Sequence, residues 1–457
     1  MTQQISRPPV QTEEQSDSAK LSTQSPLSHR SLLALLAIIG LVLLTFTGLF
    51  VKNTPELLHP PADPVALTAT AAQQNALPVQ LPGAATPAQL QLSGSHTIVY
   101  AQQNALYRVS VPNGTPQAIA APGYRYNRAV PPILLANDQL LYSGNGLWIT
   151  SILQNGQGGA AHQIASIADD RVITSLVLAP NGRDIAWSTA PANGKGTIRI
   201  YAGSLTSSSQ VYQQEATKCP CFRVFSLTTP ASGQMMLLLS NDYGDHQAAA
   251  YNLWSLVVTA GKGSEPQPLL TDSPPQIPLI QAGNTVLYST SNGIVPQPTD
   301  NSTPDDIAAL NYANGLALSA LEVTPSTALS PAQVVLPMQR DFANFSAYHW
   351  VMSPSFAPDG QTLVYVLFSG DDQAPFARHS SLYTVHINGT GATMQAGKPQ
   401  VLATTSARYI EVGPWLNSDT LTFYADNALY AMDAHTGATT LLTRLNMYGQ
   451  IVAATGS

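Results

Sequence analysis

Two stretches of the sequence repeat each other, APNGRDIAW at residues 179–187 and APDGQTLVY at residues 357–365. Each stretch has a proline, a turn-forming Asn-Gly or Asp-Gly pair, and then an apolar run that ends in an aromatic residue. Turn residues of this kind next to an apolar run are typical of a β-hairpin. The repeated stretch therefore predicts a tight turn that leads into a buried β-strand.

Five further units of the same type occur between residues 94 and 423, and consecutive units start 42 to 77 residues apart. The seven units are GSHTIVY (94–100), ANDQLLY (136–142), NGRDIAW (181–187), SGQMMLL (232–238), AGNTVLY (282–288), DGQTLVY (359–365) and NSDTLTF (417–423). In most units a third strand, another turn and an outer strand follow, as in residues 106–119. The pattern predicts an all-β fold, a seven-bladed β-propeller of four-stranded blades over residues 88–457, and the degenerate copies leave six to eight blades open.

The two clearest units resemble the S-P-D-G repeat of TolB-like and WD40-like β-propellers, although both carry Ala (Ala179 and Ala357) where that repeat usually has Ser. The resemblance covers residues 88–457 and implies the fold rather than a function. TolB has an N-terminal α/β domain, and propellers of the prolyl-oligopeptidase type are joined to a hydrolase domain with a G-x-S-x-G motif. A Tol-Pal role is not carried over, because a predicted helix anchor and stalk take the place of that α/β domain in this sequence. A peptidase activity is not carried over, because the sequence has no G-x-S-x-G motif.

Residues 31–51 (SLLALLAIIGLVLLTFTGLFV) contain no charged residue. A helix of this length spans roughly 31 Å, about the thickness of the hydrocarbon core of a bilayer, so we expect one transmembrane helix. A cleavable signal peptide is the alternative, but thirty residues precede the segment and no small-residue cleavage site follows it. Lys20 and Arg30 precede the span and only Lys52 closely follows it. This bias predicts a single-pass protein of a bacterial plasma membrane, with a cytoplasmic N-terminus and an extracytoplasmic propeller.

The segments around this span are polar. Residues 1–30 predict a disordered cytoplasmic tail. Residues 53–87 are rich in Pro, Ala, Gln and Thr and predict a flexible stalk. At the other end of the chain, residues 450–453 (QIVA) are prone to form a strand, and we expect them to close the ring by pairing beside blade one, near residues 89–91.

Composition argues against several classes of ligand. The net charge is −7 and Lys and Arg are not clustered, which disfavours nucleic acid as a partner. Cys219 and Cys221 are the only cysteines. A small loop disulfide, or two unreactive thiols, fits them better than a redox switch or half of a metal site. Asp300, Asp305 and Asp306 do not have EF-hand spacing. We therefore expect no metal or cofactor.

Connections between the second and third strands of the blades all emerge on one face of a propeller. They are minimal in blades one, two and seven and longer in blades three to six, at 189–196, 241–251, 291–315 and 369–380. These four consecutive connections predict a crescent-shaped binding surface, with tolerated insertions as the alternative. The candidate partner-binding residues are Tyr243, Asp245, His246, Asp371, Asp372, Phe376, Arg378 and His379.

The favoured function is a binding, sensing or scaffold module for an extracytoplasmic protein or glycan. The alternative is a propeller hydrolase, glycoside-active or lactonase-like, with a site in the central channel. Such a site needs convergent carboxylates or a metal on the innermost strands. The runs expected to form those strands contain no acid and no histidine, and they are 89–91, 133–135, 176–178, 225–227, 279–281, 354–356 and 413–415. His386 and His435 lie in or beside repeat hairpins and are expected to be structural.

Overall fold

Seven antiparallel sheets follow one another along the chain in a computed structural model of the protein. Together they form a seven-bladed β-propeller, as the repeat predicts. The structure describes residues 79–80, 90–92, 94, 96–112, 114–127, 129–136, 138–152, 160–216, 221–231, 233–241, 251–271, 276–290, 315–323, 327–337, 347–371, 379–405, 410–425, 428–444 and 450–456. The predicted tail (1–30) and transmembrane segment (31–51) lie outside these residues. None of the described helices is long and apolar enough to cross a membrane.

The first three blades have four strands each, and their order runs from the channel outward. Blade one consists of Gln450–Gly456, His96–Gln102, Ala105–Val111 and Gln117–Ile119. Blade two consists of Ile133–Leu135, Gln139–Ser143, Gly146–Ser151 and His162–Ser166. Blade three consists of Arg171–Leu178, Asp184–Pro191, Thr197–Ser204 and Ser207–Glu215.

The outermost strand is divided or supplemented in the next three blades. Blade four consists of Phe222–Ala231, Gln234–Asn241 and Tyr251–Thr259, with Lys262–Gly263 and Gln267–Leu270 both paired to the third strand. Blade five consists of Gln276–Ala282, Thr285–Thr290 and Leu316–Glu322, with Ala328–Leu329 and Gln333–Leu336 both paired to the third strand. Blade six consists of Ala347–Phe356, Thr362–Asp371, His379–Asn388 and Gln400–Thr405, with Gln395–Ala396 paired to the third strand and a 3-10 helix at Gly391–Thr393. Blade seven consists of Ile410–Trp415, Thr420–Ala425, Ala428–Asp433 and Thr439–Arg444.

The C-terminal strand closes the ring. Gln450–Gly456 pairs with His96–Gln102, with Ala453 opposite Val99, and so becomes the innermost strand of blade one. This confirms that the C-terminal segment completes blade one. The expectation that residues 89–91 form the innermost run of that blade is wrong, because the closing strand occupies the position. Instead the Leu90 amide donates to the Thr439 carbonyl, 3.1 Å away, on the outer strand of blade seven.

The aromatic residue that ends a repeat unit packs against an aromatic residue of the third strand. Residues in direct register form stacked pairs in four blades, and these are Tyr100 with Tyr107, Trp187 with Tyr201, Tyr365 with Tyr383, and Phe423 with Tyr430. Aromatic pairs of this kind stabilise neighbouring strands beyond the area that they bury. The repeat unit therefore determines the packing of the second strand against the third as well as the turn that precedes the second strand.

The turn of the repeat is built by a side chain and a glycine. Asn181 accepts hydrogen bonds on Oδ1 from the amides of Arg183 (2.9 Å) and Asp184 (3.1 Å). Gly182 has a φ of 67°, in the left-handed region that glycine adopts without strain. An Asx turn followed by glycine returns the chain into the second strand.

Two residues from the predicted stalk take part in the fold. Val79–Gln80 forms a short strand on the outer edge of blade six, with Val79 opposite Thr405 and Gln80 opposite Thr404. The rest of the range 53–87 lies outside the described residues.

Candidate functional site

One face of the propeller gathers two sets of chain segments around the channel. The strands of a blade are antiparallel, so the inner strand begins on the face where the second strand ends and the third begins. We call it the loop face, because it carries the connections between second and third strands, such as residues 192–196. The opposite face, which carries the first-to-second and third-to-fourth turns, is the far face. The first residues of the inner strands therefore surround the mouth of the channel on the loop face.

The connections on the loop face follow the prediction in part. They are short in blades one, two and seven, at 103–104, 144–145 and 426–427, as expected. In blade three the strands continue to Pro191 and resume at Thr197, so this connection is shorter than the predicted 189–196. The predicted bounds in blade six are also wrong, because its strands extend to Asp371 and resume at His379.

The predicted partner-binding residues are only partly described. Asp371 lies opposite Ala347, and His379 lies opposite Ser369, so both belong to paired strands rather than to a loop. The other six candidates lie outside the described residues, and these are Tyr243, Asp245, His246, Asp372, Phe376 and Arg378. Their role in binding stays a prediction.

Ionisable side chains stand where three of the inner strands begin. Arg171 is the first residue of its strand in blade three, Arg223 is the second in blade four, and Glu411 is the second in blade seven. Arg223 and Glu411 are buried, with 8% and 7% of their surface exposed. The expectation of inner strands without an acid is therefore wrong. Those strands start before the short apolar runs from which they were inferred, and the charged residues lie in the added part.

Arg171 is held firmly by its own blade. Its Nε and Nη2 atoms donate to Thr189 Oγ1 at 3.0 Å and 2.7 Å, and Nη2 also donates to the Thr197 carbonyl at 2.7 Å. Burial and the positive charge of Arg199 lower the pKa of Arg171 from its usual value, while Tyr201 and Asp170 act in the opposite direction. Arg171 thus ties three strands together next to a second cation.

Arg199 is that second cation. It lies on the third strand of blade three, directly opposite Thr189. Its Nε atom is buried and has no hydrogen-bond partner, and the guanidinium makes no ion pair with any residue that the structure describes. A buried donor without a partner costs free energy, and a carboxylate or phosphate is the natural complement of a guanidinium. The pair Arg171 and Arg199 is therefore suited to an anionic group.

Arg108 shows how this fold treats an arginine that is only structural. Its Nη2 and Nε atoms donate to Gln117 Oε1 at 2.6 Å and 3.2 Å, and Nη1 donates to the Ile152 carbonyl at the start of the segment after blade two's third strand. It is buried, with 8% of its surface exposed. The contrast with Arg199 is that Arg108 finds its partners within the protein.

A cleft of about 360 Å³ opens between blades six and seven on the far face. Its lining residues are Thr362, Thr384, His386, Gly397, Lys398, Gln400, Ala434 and His435. The ring of His435 is 3.0 Å from Asp419 Oδ1. Both histidines were expected to be structural, and the structure puts both on the wall of this cleft. No sequence motif links them, because the cleft exists only after two blades pack together.

The described residues hold no group of three or more His, Cys, Asp or Glu side chains arranged to bind a metal ion. Cys221 takes part in a disulfide bond. Cys219 lies outside the described residues, so the pairing of Cys219 with Cys221 stays a prediction.

No family model matches the chain, and a comparison with curated proteins finds no relative. Solved structures with similar folds include a protein provisionally assigned as a 6-phosphogluconolactonase from Bacteroides uniformis, 11% identical, with 79% of this chain and 98% of that chain covered and a TM-score of 0.42. A puromycin-hydrolyzing peptidase from Mycobacterium tuberculosis is 10% identical, with 81% of this chain and 53% of that chain covered and a TM-score of 0.43. An oligogalacturonate lyase from Vibrio parahaemolyticus is 8% identical, with 77% and 80% covered and a TM-score of 0.30.

This chain thus spans about half of the peptidase's length. At these identities and TM-scores the likeness carries no conclusion about substrate or reaction.

Proposed function

We propose that the protein is a membrane-anchored binding module whose loop face takes up an acidic protein or glycan outside the cytoplasm. The observation that carries this proposal is Arg199, a cation that the propeller does not pair with any described residue. The protein leaves this guanidinium beside Arg171 rather than neutralising it. A carboxylate or a phosphate from a partner would supply the missing hydrogen-bond acceptors and charge.

The surroundings of Arg199 support a ligand-binding role for the same face. Lys195 is exposed in the neighbouring connection of blade three, which adds a third positive charge. Arg171 is pre-positioned by its bonds to Thr189 and Thr197, so little side-chain entropy remains to be lost on binding. Rigid strands that display variable connections are a common arrangement for binding sites.

Membrane anchoring is part of the proposal and rests on the uncharged segment 31–51. The proposed orientation, with the N-terminal tail in the cytoplasm of a bacterial cell and the propeller outside, rests on Lys20 and Arg30 before this segment and on Lys52 as the one basic residue that closely follows it. Protease added to intact cells should then digest the propeller or the segment that precedes it. A propeller that stays protected until the cells are lysed would contradict this orientation.

The loop face is tested by crosslinking on intact cells with the full chain. A photo-crosslinking amino acid is placed at Lys195 on the loop face or at Arg183 on the far face of the same blade, and both positions are exposed. We expect a discrete adduct from position 195 and none from position 183. Arg199→Gln should weaken the adduct at position 195. Equal adducts from both positions, or an adduct that Arg199→Gln leaves at full strength, would contradict the proposal.

A second candidate function is a hydrolase with its site in the channel, acting on glycosides or lactones. The observation that favours it is Glu411, an acid on an inner strand that is only 7% exposed. Carboxylates supply the general acid or the nucleophile of many hydrolases.

Chromogenic glycosides and lactones test this function. An enzyme of this kind should lose turnover in Glu411→Gln and keep it in Glu322→Gln, a substitution at an exposed acid of blade five. If no substrate of either class is turned over, the hydrolase function is wrong.

A further inference from the structure

The cleft between blades six and seven has a lining without acidic residues. Its polar side chains are two histidines, one lysine, two threonines and one glutamine, namely His386, His435, Lys398, Thr362, Thr384 and Gln400. We propose that this cleft binds a small hydroxylated carboxylate of the sugar-acid class. The site lies on the far face, so it is separate from the loop face and does not rest on the function proposed for it.

The charged part of the lining fits a carboxylate. Lys398 and His386 are exposed on blade six, and the structure gives neither an ion pair among the described residues. His435 approaches from blade seven. A lysine ammonium and the N–H groups of imidazoles donate hydrogen bonds, and bonds from a charged donor to a carboxylate are about twice as strong as neutral ones.

The acids near the cleft are already engaged on the blade-seven side. Asp419 accepts from the His435 ring at 3.0 Å. Asp433 accepts from the Thr436 amide at 2.7 Å and from the His435 amide at 3.0 Å. Burial by itself raises the pKa of Asp433, but the hydrogen bonds from Thr436 and His435 and the nearby imidazole hold this pKa below its usual value. Both carboxylates therefore organise the turn that presents His435 rather than line the cleft.

The neutral part of the lining fits hydroxyl groups. Thr362 and Thr384 are 3% and 9% exposed, and they lie on the second and third strands of blade six, where Thr362 pairs with His386 and Thr384 pairs with Val364. Neither hydroxyl makes a hydrogen bond with a described residue. Gln400 adds an amide that both donates and accepts. Both threonines line the cleft, so their hydroxyls can exchange hydrogen bonds with a polyhydroxylated ligand, whereas a simple inorganic anion would reach only the cationic donors.

The walls of the cleft are fixed by the backbone. The Gly397 amide donates to the His386 carbonyl at 2.8 Å, and the Ala434 amide donates to the Asp419 carbonyl at 2.8 Å. A Cβ atom at position 397 would stand 3.0 Å from the His386 carbonyl oxygen, so a larger residue would have to push this carbonyl aside by a few tenths of an ångström. The volume of about 360 Å³ falls within the usual range for small-molecule sites. The cleft is therefore preformed and of a suitable size for one sugar unit.

Isothermal titration of the full chain in a nonionic detergent tests the proposal, with D-glucuronate as the probe. Glucose is the neutral control and inorganic phosphate is the anion without the sugar ring. We expect glucuronate to bind at least tenfold more tightly than either control, because only glucuronate engages both parts of the lining. Lys398→Gln and His386→Gln should each weaken glucuronate binding about tenfold or more. Lys262→Gln, at an exposed lysine on the same face of blade four, should leave it unchanged.

Three outcomes would overturn the proposal. Absence of glucuronate binding would refute the site altogether. Equal affinities for glucuronate and phosphate would refute the sugar-acid class. Lys398→Gln and Lys262→Gln variants with the same affinity would show that glucuronate binds elsewhere. Melting curves of each variant ensure that a loss of affinity is not a loss of fold.

Discussion

The indole of Trp187 stacks on the ring of Tyr201, with centroids 4.0 Å apart and planes within 10° of parallel. The two residues lie directly opposite each other on the second and third strands of blade three. The indole N–H also donates to Ser208 Oγ on the outer strand, 3.3 Å away. Trp187 thus connects three strands of one blade, and it is 2% exposed.

Replacing Trp187 should destabilise the propeller. Trp187→Leu removes the stack, the hydrogen bond and part of the buried volume, so we expect the free energy of unfolding to fall by about 2–4 kcal/mol. Trp187→Phe keeps a ring opposite Tyr201 and should cost roughly half as much. Urea denaturation measures both values. Equal losses in the two variants would show that stacking contributes nothing beyond volume.

The closing strand should contribute strongly to stability. Ile451 on this strand is 7% exposed and packs in the same cluster as Tyr100 and Leu442. Ile451→Ala should cost about 2–4 kcal/mol, and deletion of residues 449–457 should lower the melting temperature by at least several degrees. Val334→Ala, at a side chain that is 65% exposed, is the control and should change stability by less than about 0.5 kcal/mol. A deletion that leaves the melting curve unchanged would contradict ring closure by this strand.

The two arginines of blade three should respond to substitution in opposite ways. Arg171→Met removes hydrogen bonds to Thr189 and Thr197 and should cost about 2–3 kcal/mol. Arg199→Met removes an unpaired cation from beside another cation and should cost nothing or stabilise by about 1 kcal/mol. Chemical denaturation of both variants tests this contrast.

The role of Arg199 should also be measurable as anion binding. Sulfate at increasing concentration should raise the melting temperature of the unmodified protein more than that of Arg199→Met, because a ligand that binds the folded state stabilises it by mass action. A large loss of stability in Arg199→Met would mean that Arg199 is structural.

Stability should fall at alkaline pH. Burial raises the pKa of Tyr142 to about 12, and its hydroxyl donates to the Pro122 carbonyl at 3.1 Å. Burial, with a smaller contribution from Tyr107, also raises the pKa of Tyr100 to about 12. Tyrosines of the unfolded chain ionise near pH 10. The folded form therefore retains protons that the unfolded form loses, and the stability present below about pH 10 is lost as the pH rises toward 12.

Thermal melts between about pH 8 and 12 measure this effect. Tyr142→Phe should reduce the slope of melting temperature against pH over the upper part of the range. Tyr126→Phe, at an exposed ring, should not. Identical slopes for all three proteins would assign the alkaline loss to other groups.

The sequence carries the fold because the repeat combines local and non-local signals. The turn at Asn181 depends only on neighbouring residues, so it is a local signal. The apolar run that ends in Trp187 predicts a strand, and this strand packs against Tyr201 on the next strand of the blade. The sequence does not show where the inner strands begin, since Glu411 precedes the run 413–415 from which the inner strand of blade seven was inferred. It also cannot show that His386 and His435 share a cleft. That proximity depends on how two blades pack, and neither residue belongs to a motif.

The connections of blades four and six test the loop face most directly. The strands that flank the first connection are already in register where it begins, with Asn241 opposite Tyr251. In blade six the last registered pair is Ser369 with His379. Replacing 242–250 and 372–378 by Asn-Gly turns should therefore leave the blades intact and change the melting temperature by only a few degrees, because shortening a surface connection has a small effect on the free energy of folding.

The replacement removes Tyr243, Asp245, His246, Asp372, Phe376 and Arg378 together. If these residues bind the partner, the adduct formed by a crosslinker at position 195 should be lost, while Lys262→Gln, at an exposed residue on the far face of blade four, should preserve it. A shortened protein that folds and still forms the adduct at full strength would show that binding depends on the channel mouth around Arg199 and not on these connections.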